Sequence, residues 1–377
     1  MSNHKDLQKL TVPGLLISLG IIYGDIGTSP LYVFKAIVGS QQITETLILG
    51  GVSCIFWTLT LQTTIKYVLI TLLADNKGEG GIFSLFSLVR RKAKWLVVPA
   101  VVGGCALLAD GIITPPITVS AAIEGLHSRY ANLPTVQIVL VIITLLFVIQ
   151  QFGTSLVGKA FGPIMFLWFT MMGVLGFAYI IDMPEVLKAL NPYYAYALLS
   201  TNPNSFIILG AVFLCTTGAE ALYSDLGHCG RSNIRISWIY VKTSLILNYL
   251  GQAVWLLHRQ GQNIDLDLHN PFYQIMPPGF LIFGIGLATV AAVIASQALI
   301  SGSFTLIAEA VRLNLWPKVK INYPTNQKGQ LYVPSINWIL CAGCIIVVLI
   351  FRHSEKMEAA YGLSITVAML MTTILVT

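Results

Sequence analysis

Carboxylate and hydroxyl side chains interrupt the long apolar runs of this chain at three places. Asp25 stands in GDIGTSPLY (24–32), in the middle of an apolar run from residue 12 to residue 38. Two glycines and a proline weaken a helix there, so the backbone hydrogen-bond ladder is expected to lapse near Asp25 and to resume after Pro30. A carboxylate in such a run is costly unless it lines a polar cavity or meets a cation. Asp25 is therefore a candidate site residue, and a proline kink with a satisfied Asp is the alternative.

A second carboxylate begins a row of hydroxyl groups. Asp110, Thr114 and Thr118 follow one another every fourth residue, which places them on one face of a helix along roughly 12 Å of its axis. A row of oxygen ligands suits a hard monovalent cation better than a transition metal, which would require His or Cys. The alternative is that Thr114 and Thr118 bond only to their own helix.

A third carboxylate, Glu220, lies in TTGAEALYSD (216–225), which follows the apolar run 207–215. Carbonyl groups freed by a helix break can ligate a cation, and the negative C-terminal ends of half-helices favour positive charge. A substrate carboxylate would instead need free backbone N–H groups, so two breaks that both carry acids favour a cation. Glu124 and Glu309 lie near the ends of two other runs. The sequence does not decide whether each of them packs helices together or lies at the membrane interface.

The elements that must position these residues are membrane helices. Apolar residues make up 55% of the chain and charged residues 10%, with a mean hydropathy of +0.77, whereas soluble domains carry about a quarter charged residues. We therefore expect an all-α polytopic protein in contact with the lipid bilayer, and we expect no nucleic-acid binding from the modest net charge of +6. Ten apolar runs are long enough to span a bilayer: 12–38, 46–74, 95–126, 134–151, 160–182, 204–227, 235–258, 278–312, 331–351 and 356–377.

The basic residues predict the orientation of these spans. With the N-terminus inside, most of the 22 lysine and arginine residues fall in cytoplasmic segments, including the cluster RRKAK (90–94). This pattern predicts a multi-pass protein of the cell membrane with a cytoplasmic N-terminus. Lys66 and Lys242 lie within spans near their cytoplasmic ends, where snorkelling is expected. The chain ends inside the apolar stretch 369–377, as expected of a fragment.

The second half of the chain is similar to the first. The matching segments are 133–140 with 333–340, 160–162 with 360–362 and, more weakly, 113–126 with 300–313. Because five spans make an odd number of crossings, the second copy would run through the membrane upside down. The matches predict an inverted repeat of five plus five helices, residues 1–185 and 186–377, whose broken first and sixth helices meet at a site near the midplane.

Five ordered motifs of the chain resemble those of the KUP/HAK/KT potassium uptake permeases. They are GDIGTSPLY (24–32), ADNKGEGG (74–81), ADGIITPPITVSAAIEGL (109–126), TGAEALYSDLGH (217–228) and YVPSINW (332–338). The resemblance runs from about residue 12 to the end of the chain. It implies potassium uptake by alternating access, with proton symport in the bacterial members, on the LeuT-like fold of the amino acid–polyamine–cation superfamily, and no cofactor. The ion-site positions that it implies are Asp25, Tyr32, Asp110, Thr114, Thr118, Thr217 and Glu220.

Three acids around one monovalent cation would leave excess negative charge in a medium of low dielectric constant. At least one of them is therefore expected to carry the co-transported proton. Glu220 is the first candidate for this role, Asp25 the second, and Asp110 the third. Asp110, Thr114, Thr118 and Thr217 would then ligate potassium, with Tyr32 as a gate or a further ligand.

Several alternatives stay open at this stage. Members of the family continue with two further membrane helices and a cytoplasmic C-terminal domain, which are expected to be missing here, so homodimerisation with the help of that domain stays open. An amino-acid or polyamine transporter of the same fold is one alternative function, and a potassium channel or sensor is another. An enzyme is not expected, because the sequence carries no His/Cys cluster and no nucleophile and base at a suitable spacing.

Overall fold

The computed structural model describes residues 10–76, 78–130, 133–152, 155–262, 264–266, 268–324 and 331–377. Lys77 of the ADNKGEGG motif and residues 1–9 of the predicted first repeat lie outside this part of the chain. The α-helices in chain order are α1 Val12–Ile21, α2 Gly24–Thr28, α3 Val33–Val38, α4 Glu45–Thr58, α5 Ile82–Val89, α6 Val97–Glu124, α7 Thr135–Ile149, α8 Ser155–Asp182, α9 Pro192–Thr201, α10 Ser205–Phe213, α11 Ala219–Ser224, α12 Leu226–Cys229, α13 Arg231–Leu257, α14 Pro271–Gln274, α15 Leu281–Arg312, α16 Pro334–Phe351 and α17 Ser354–Val376.

The described residues form a bundle of membrane helices. Eight helices are long and apolar enough to cross a membrane, and the pair Val12–Ile21 and Gly24–Leu31, bent by 67°, makes a ninth, broken span. No sheet is present among the described residues, where the β-bridges are two isolated pairs. The prediction of an all-α, multi-span membrane protein with a broken first helix is therefore confirmed.

The structure differs from the sequence prediction at the seventh of the ten spans. The predicted span 235–258 lies within α13, whose 27 residues reach about 40 Å, but α13 is not among the helices apolar enough to cross a membrane by themselves. Lys242, Asn248 and Gln252 lower its hydropathy. Asn248 and Gln252 are buried and donate to backbone carbonyl groups of other helices, so the protein itself solvates the polar groups of α13.

Glycines let α1 and α13 approach α8 closely. A Cβ atom at Gly176 of α8 would lie 2.1 Å from the carbonyl oxygen of Leu247 in α13, and one at Gly162 would lie 2.4 Å from the carbonyl oxygen of Leu16 in α1. Small residues at such crossings increase the van der Waals contact that holds helices together in lipid. The two crossings fix the broken first span and α13 against one common helix.

The second span changes its helical form halfway along. After α4 the chain continues as a π-helix, Leu59–Ile70, a rare form of helix that is frequent at functional sites. Lys66, in this π-helix, donates to the carbonyl oxygen of Met369 in α17 at 2.8 Å. Lys242 donates to the hydroxyl groups of Thr60 and Thr64 at 2.9 and 3.1 Å. Both lysines are half-buried and have hydrogen-bond partners within the helix bundle, and their snorkelling stays a prediction.

A buried ion pair joins three spans at one end of the bundle. The Lys35 ammonium group of α3 lies 3.5 Å from the carboxylate of Glu124 at the end of α6, and these side chains are 5% and 7% exposed. Glu124 also accepts hydrogen bonds from the backbone N–H and the hydroxyl group of Ser354, at 2.9 and 2.5 Å, where α17 begins. Glu124 therefore packs helices together, which decides between the two roles that the sequence left open for this acid.

This ion pair yields a stability prediction with a matched control in the same chain. Replacing Glu124 by Gln removes the charge that faces the buried Lys35, which is expected to destabilise the fold by about 3 kcal/mol and to lower the midpoint of thermal unfolding in detergent by several degrees. Glu185→Gln breaks the pair with Lys188, whose partners are 78% and 54% exposed, and is expected to leave the midpoint unchanged. Equal midpoints for the two variants would contradict the stabilising role of Glu124.

Candidate cation site

The first helix break lies just before Asp25. The helix α1 ends at Ile21, and the chain bends by 67° before α2 begins at Gly24, so the break comes at Ile22 and Tyr23, slightly earlier than predicted. A Cβ atom at Gly24 would lie 2.7 Å from the Cα atom of Ala295 in α15. Asp25, 3% exposed, is thereby placed in the first turn of a short helix pressed against α15.

A second break lies in the predicted segment 216–225. The helix α10 ends at Phe213 and passes through a 3₁₀ turn to Thr216, and α11 begins at Ala219. Between them Gly218 has φ +77°, in the left-handed region where a residue with a side chain is strained. A Cβ atom there would lie only 2.9 Å from the Cβ atom of Asp25. The two breaks are therefore in direct contact.

Hydroxyl groups link the two breaks. The Ser29 and Thr217 hydroxyl oxygens lie 2.8 Å apart, and the Tyr32 hydroxyl oxygen lies 3.4 Å from that of Thr217. All three side chains are fully buried. Tyr32 and Thr217, which the family resemblance implied, are thus neighbours where the two breaks meet.

Asp25 and Asp110 are connected by a chain of two hydroxyl groups. The Tyr361 hydroxyl group of α17 donates to Asp25, with O···O distances of 3.0 and 3.1 Å, and lies 2.8 Å from the Thr114 hydroxyl group. Thr114 in turn donates to Asp110 at 2.7 Å. These three contacts require three protons, and the two hydroxyl groups supply two. All three contacts are therefore hydrogen bonds only when one of the two carboxyl groups is protonated and donates to its neighbouring hydroxyl group.

Glu220 has its own pair of hydroxyl donors. The carboxylate is 7% exposed and accepts hydrogen bonds from Tyr67 of the π-helix and from Thr372 of α17, the latter at 2.9 and 3.1 Å. Both donors are fully buried. Two donors aimed at one carboxyl group stabilise its charged form.

The three acids line one cavity. Its volume is about 60 Å³, and Asp25, Asp110 and Glu220 share its wall with Gly218 and with apolar residues of α1, α6 and α15. This space is sufficient for a few water molecules or one dehydrated ion. Asp225, which the sequence analysis did not single out, also lines the cavity.

Thr118 is turned away from this cavity. Its hydroxyl group donates to the Thr114 carbonyl oxygen at 2.7 Å, and it lies 3.5 Å from the Ser296 hydroxyl group of α15. Of the predicted row, Asp110 and Thr114 thus meet the acid of the first break, whereas Thr118 bonds mainly to its own helix.

Three carbonyl groups that follow Asp25 already accept side-chain hydrogen bonds. Trp168 donates to the carbonyl oxygen of Gly27 at 2.9 Å, Gln252 to that of Pro30 at 3.1 Å, and Asn270 to that of Leu31 at 2.7 Å. These donors fix the direction of each carbonyl group and occupy one of its two lone pairs. The expected ligation of a cation by freed carbonyl groups is correspondingly restricted.

Sequence reasoning missed Tyr361, Tyr67 and Thr372. Tyr361 lies in the repeat match of 160–162 with 360–362, which marked its position without suggesting a role. Tyr67 and Thr372 lie in apolar runs with no break. Their donor roles depend on how the helices are rotated about their own axes.

The ADNKGEGG segment packs against the second half of the broken sixth span. The Tyr223 hydroxyl group donates to the carbonyl oxygen of Ala74, and Arg231 forms an ion pair with Asp75 at 3.1 Å. A Cβ atom at Gly80 would lie 1.8 Å from the carbonyl oxygen of Tyr223. A Cβ atom at Gly81 would lie 3.8 Å from an oxygen of the half-buried Glu309, so this acid lies beside the glycine segment.

Known proteins are similar to almost the whole chain. The model of the K+ potassium transporter integral membrane domain family matches residues 12–377. The probable potassium transport system protein Kup of Flavobacterium johnsoniae is 65% identical over 382 residues, which cover 99% of this chain and 58% of that protein. The corresponding protein of Cytophaga hutchinsonii is 64% identical over 379 residues, which cover 99% of this chain and 57% of that protein. The one of Enterococcus faecalis is 58% identical over 387 residues, which cover 98% of this chain and 58% of that protein. The chain thus spans little more than half the length of these curated relatives.

The contact between the two breaks can be tested by a glycine substitution. In Gly218→Ala the new methyl group is expected to strain the positive φ and to press on Asp25, which should destabilise the fold by about 2 kcal/mol. Gly210→Ala in α10 is the control, because a Cβ atom there meets nothing within 4 Å and Ala favours a helix. Thermal unfolding in detergent measures both variants, and a Gly218→Ala variant as stable as the control would contradict the close contact.

Proposed function

We propose, since the chain belongs to the family of K+ potassium transporter integral membrane domains, that it carries potassium ions across the cell membrane. This is a family of transporters and not of enzymes. The observation that best supports the proposal is the cavity between the two helix breaks, where three buried carboxylates converge. Buried carboxylates in a membrane protein typically mark an ion or proton pathway.

The proposed architecture is the LeuT-like inverted repeat, with residues 1–185 and 186–377 as its two halves. Two breaks separated by about half the chain and packed against each other support this arrangement, because inverted repeats place their broken helices around a common site. Transport would then proceed by alternating access. The spans 1, 2, 6 and 7 would rock against spans 3, 4, 8 and 9, with the N-terminus on the cytoplasmic side.

Potassium is proposed to bind between Asp25 and Asp110. Thr114 bonds to Asp110, and Tyr361 lies between the two acids, so both hydroxyl oxygens are available as ligands close to two negative charges. Tyr32 and Thr217 would complete the site from the side of the breaks, and Thr118 would support it through the Thr114 carbonyl group. Oxygen donors of this kind suit a monovalent cation.

Proton symport is the proposed source of energy. Potassium between Asp25 and Asp110 would compete with the proton that these two groups can share, and Glu220 is a third acid in the same cavity. Glu220 is the proposed carrier of the co-transported proton. Its contact with hydroxyl donors from two other spans lets a proton on Glu220 respond to movements of those spans.

Ligand-induced stabilisation tests the substrate. Potassium and rubidium are expected to raise the thermal unfolding midpoint of the purified chain, because a ligand that binds only the folded state stabilises it, whereas amino acids and polyamines should have no effect. Stabilisation by an amino acid instead would point to the alternative transporter class. Uptake that neither saturates with potassium nor responds to a pH gradient would point to a channel or sensor.

Replacing Asp110 by Asn is expected to lower rubidium uptake into proteoliposomes at least tenfold, because the site loses one of its charges. The control is Asp182→Asn at the exposed end of α8, which should transport normally. If both variants took up rubidium at the wild-type rate, Asp110 would not be a potassium ligand.

Replacing Glu220 by Gln is expected to remove the pH dependence of rubidium uptake, since Gln cannot exchange a proton. Uptake is measured across imposed pH gradients at equal amounts of reconstituted protein. A Glu220→Gln variant that retained the wild-type pH dependence would exclude Glu220 as the proton carrier and would leave the pair Asp25 and Asp110 as the proton site.

A further inference from the structure

A second pocket lies at the end of the bundle where Lys35 pairs with Glu124. Its volume is about 350 Å³, and its wall is formed by Lys35, residues 39–41, residues 264–266 and Glu355. We call it the outer vestibule, because the proposed orientation places the end of α6 outside the cell. The Lys35 side chain thus lines the vestibule, while its ammonium group lies 3.5 Å from the buried carboxylate of Glu124.

Two helices connect this ion pair with the cavity of the three acids. On α6, Glu124 lies about 21 Å beyond Asp110 along the helix axis. On α17, the first residue, Ser354, contacts Glu124, and Tyr361, about two turns later, contacts Thr114. The two helices therefore run antiparallel, and both lead from the level of the ion pair to the level of the proposed potassium site.

The cavity of the three acids extends away from the ion pair. Beyond Asp110 its wall includes Leu107, one turn earlier on α6, and Leu306 near the end of α15. The helix α15 begins at the Glu124 end of the bundle, where Tyr273, just before it, donates to carbonyl groups in the last turn of α6. The ion pair therefore lies between the cavity and the vestibule.

The ion pair also crosses the boundary between the two groups of spans that are proposed to rock. Lys35 belongs to α3, the continuation of the first span, and Glu124 belongs to the third span, so opening of the outer side separates them. Ser354 holds the carboxylate with two hydrogen bonds, from its backbone N–H at 2.9 Å and from its hydroxyl group at 2.5 Å. If no other cation took the place of Lys35, opening would leave a buried charge uncompensated, which is strongly unfavourable.

We propose that potassium arriving from the vestibule replaces the Lys35 ammonium group at the Glu124 carboxylate, so that the ion pair is an outer gate opened by the cation itself. A potassium ion and an ammonium group carry the same charge and are similar in size, and the oxygens of Glu124 and Ser354 suit such a cation. The displaced Lys35 side chain extends into the vestibule, whose wall includes the exposed acids Asp265 and Glu355. This inference rests on the proposed function, because it adds a first binding step to the same pathway.

Replacing the two partners of the ion pair should affect transport in opposite directions. Lys35→Met removes the ammonium competitor, so the external rubidium concentration that gives half-maximal uptake into proteoliposomes should fall about tenfold. Glu124→Gln removes the carboxylate and should raise this concentration by a similar factor. Lys35→Arg keeps the charge and should stay near the wild-type value. If the pair only held helices together, Lys35→Met and Glu124→Gln would break the same contact and shift the concentration in the same direction.

Thermal unfolding in detergent tests the exchange without transport. In choline chloride, Lys35→Met should unfold at a lower temperature than the wild type, because Glu124 has lost its counter-ion. Rubidium chloride at the same ionic strength should raise the midpoint of Lys35→Met by several degrees more than that of the wild type, since a cation bound to the folded state stabilises it. Glu124→Gln should show no such additional rise. The control is Lys188→Met, whose exposed pair with Glu185 predicts the wild-type response.

The proposal requires opposite shifts in half-maximal rubidium concentration and an additional stabilisation of Lys35→Met by rubidium. Shifts in the same direction, or a Lys35→Met midpoint that rubidium raises no more than that of the wild type, overturn it. If the wild-type chain shows no saturable rubidium uptake, the proposed function fails, and the unfolding midpoints alone then decide whether a cation replaces Lys35. If Lys35→Met does not fold, Lys35→Gln supplies the neutral variant, with the same outcomes.

Discussion

The burial of three carboxylates around one small cavity is the constraint on which the rest of the structure depends. Each buried charge costs several kcal/mol unless partners replace the water that it has lost. Most of those partners come from distant parts of the chain, namely Tyr361 for Asp25 and Tyr67 with Thr372 for Glu220, whereas Thr114 lies one helical turn from Asp110. Because α17 supplies two of these donors, its position against α6 and the π-helix determines whether the acids are tolerated.

The helix breaks make room for the acids and create further demands. A break within a membrane frees backbone polar groups that lipid cannot solvate. Side chains of α8, α13 and the segment before α14 meet this demand at the carbonyl groups of Gly27, Pro30 and Leu31. The polar residues that lower the hydropathy of α13 thus have a structural purpose, because Gln252 serves the first break and Asn248 supports Gln252.

Positive charges inside the bundle are distributed according to their partners. Lys35 faces a carboxylate directly and ties α3 to α6. Lys242 is solvated by two threonine hydroxyl groups and the face of Phe56, so it joins α13 to the second span without touching the cavity. Lys66 is solvated by a carbonyl group beside the donors of Glu220. The three lysines therefore differ in how their charges are solvated although their side chains are the same.

The sequence by itself determined the membrane class, both helix breaks and the acids that line the cavity, because hydropathy, glycine, proline and isolated carboxylates are local signals. Family motifs added Tyr32 and Thr217, which the structure brings together. Only the tertiary structure decided that Tyr361 lies between Asp25 and Asp110, that Thr118 turns to its own helix, and that Lys66 binds α17. The physical reason is that a membrane helix can be apolar on every face, so its pattern does not specify its rotation or its depth. Hydrogen bonds between residues as distant in sequence as Asp25 and Tyr361, 336 positions apart, depend on both.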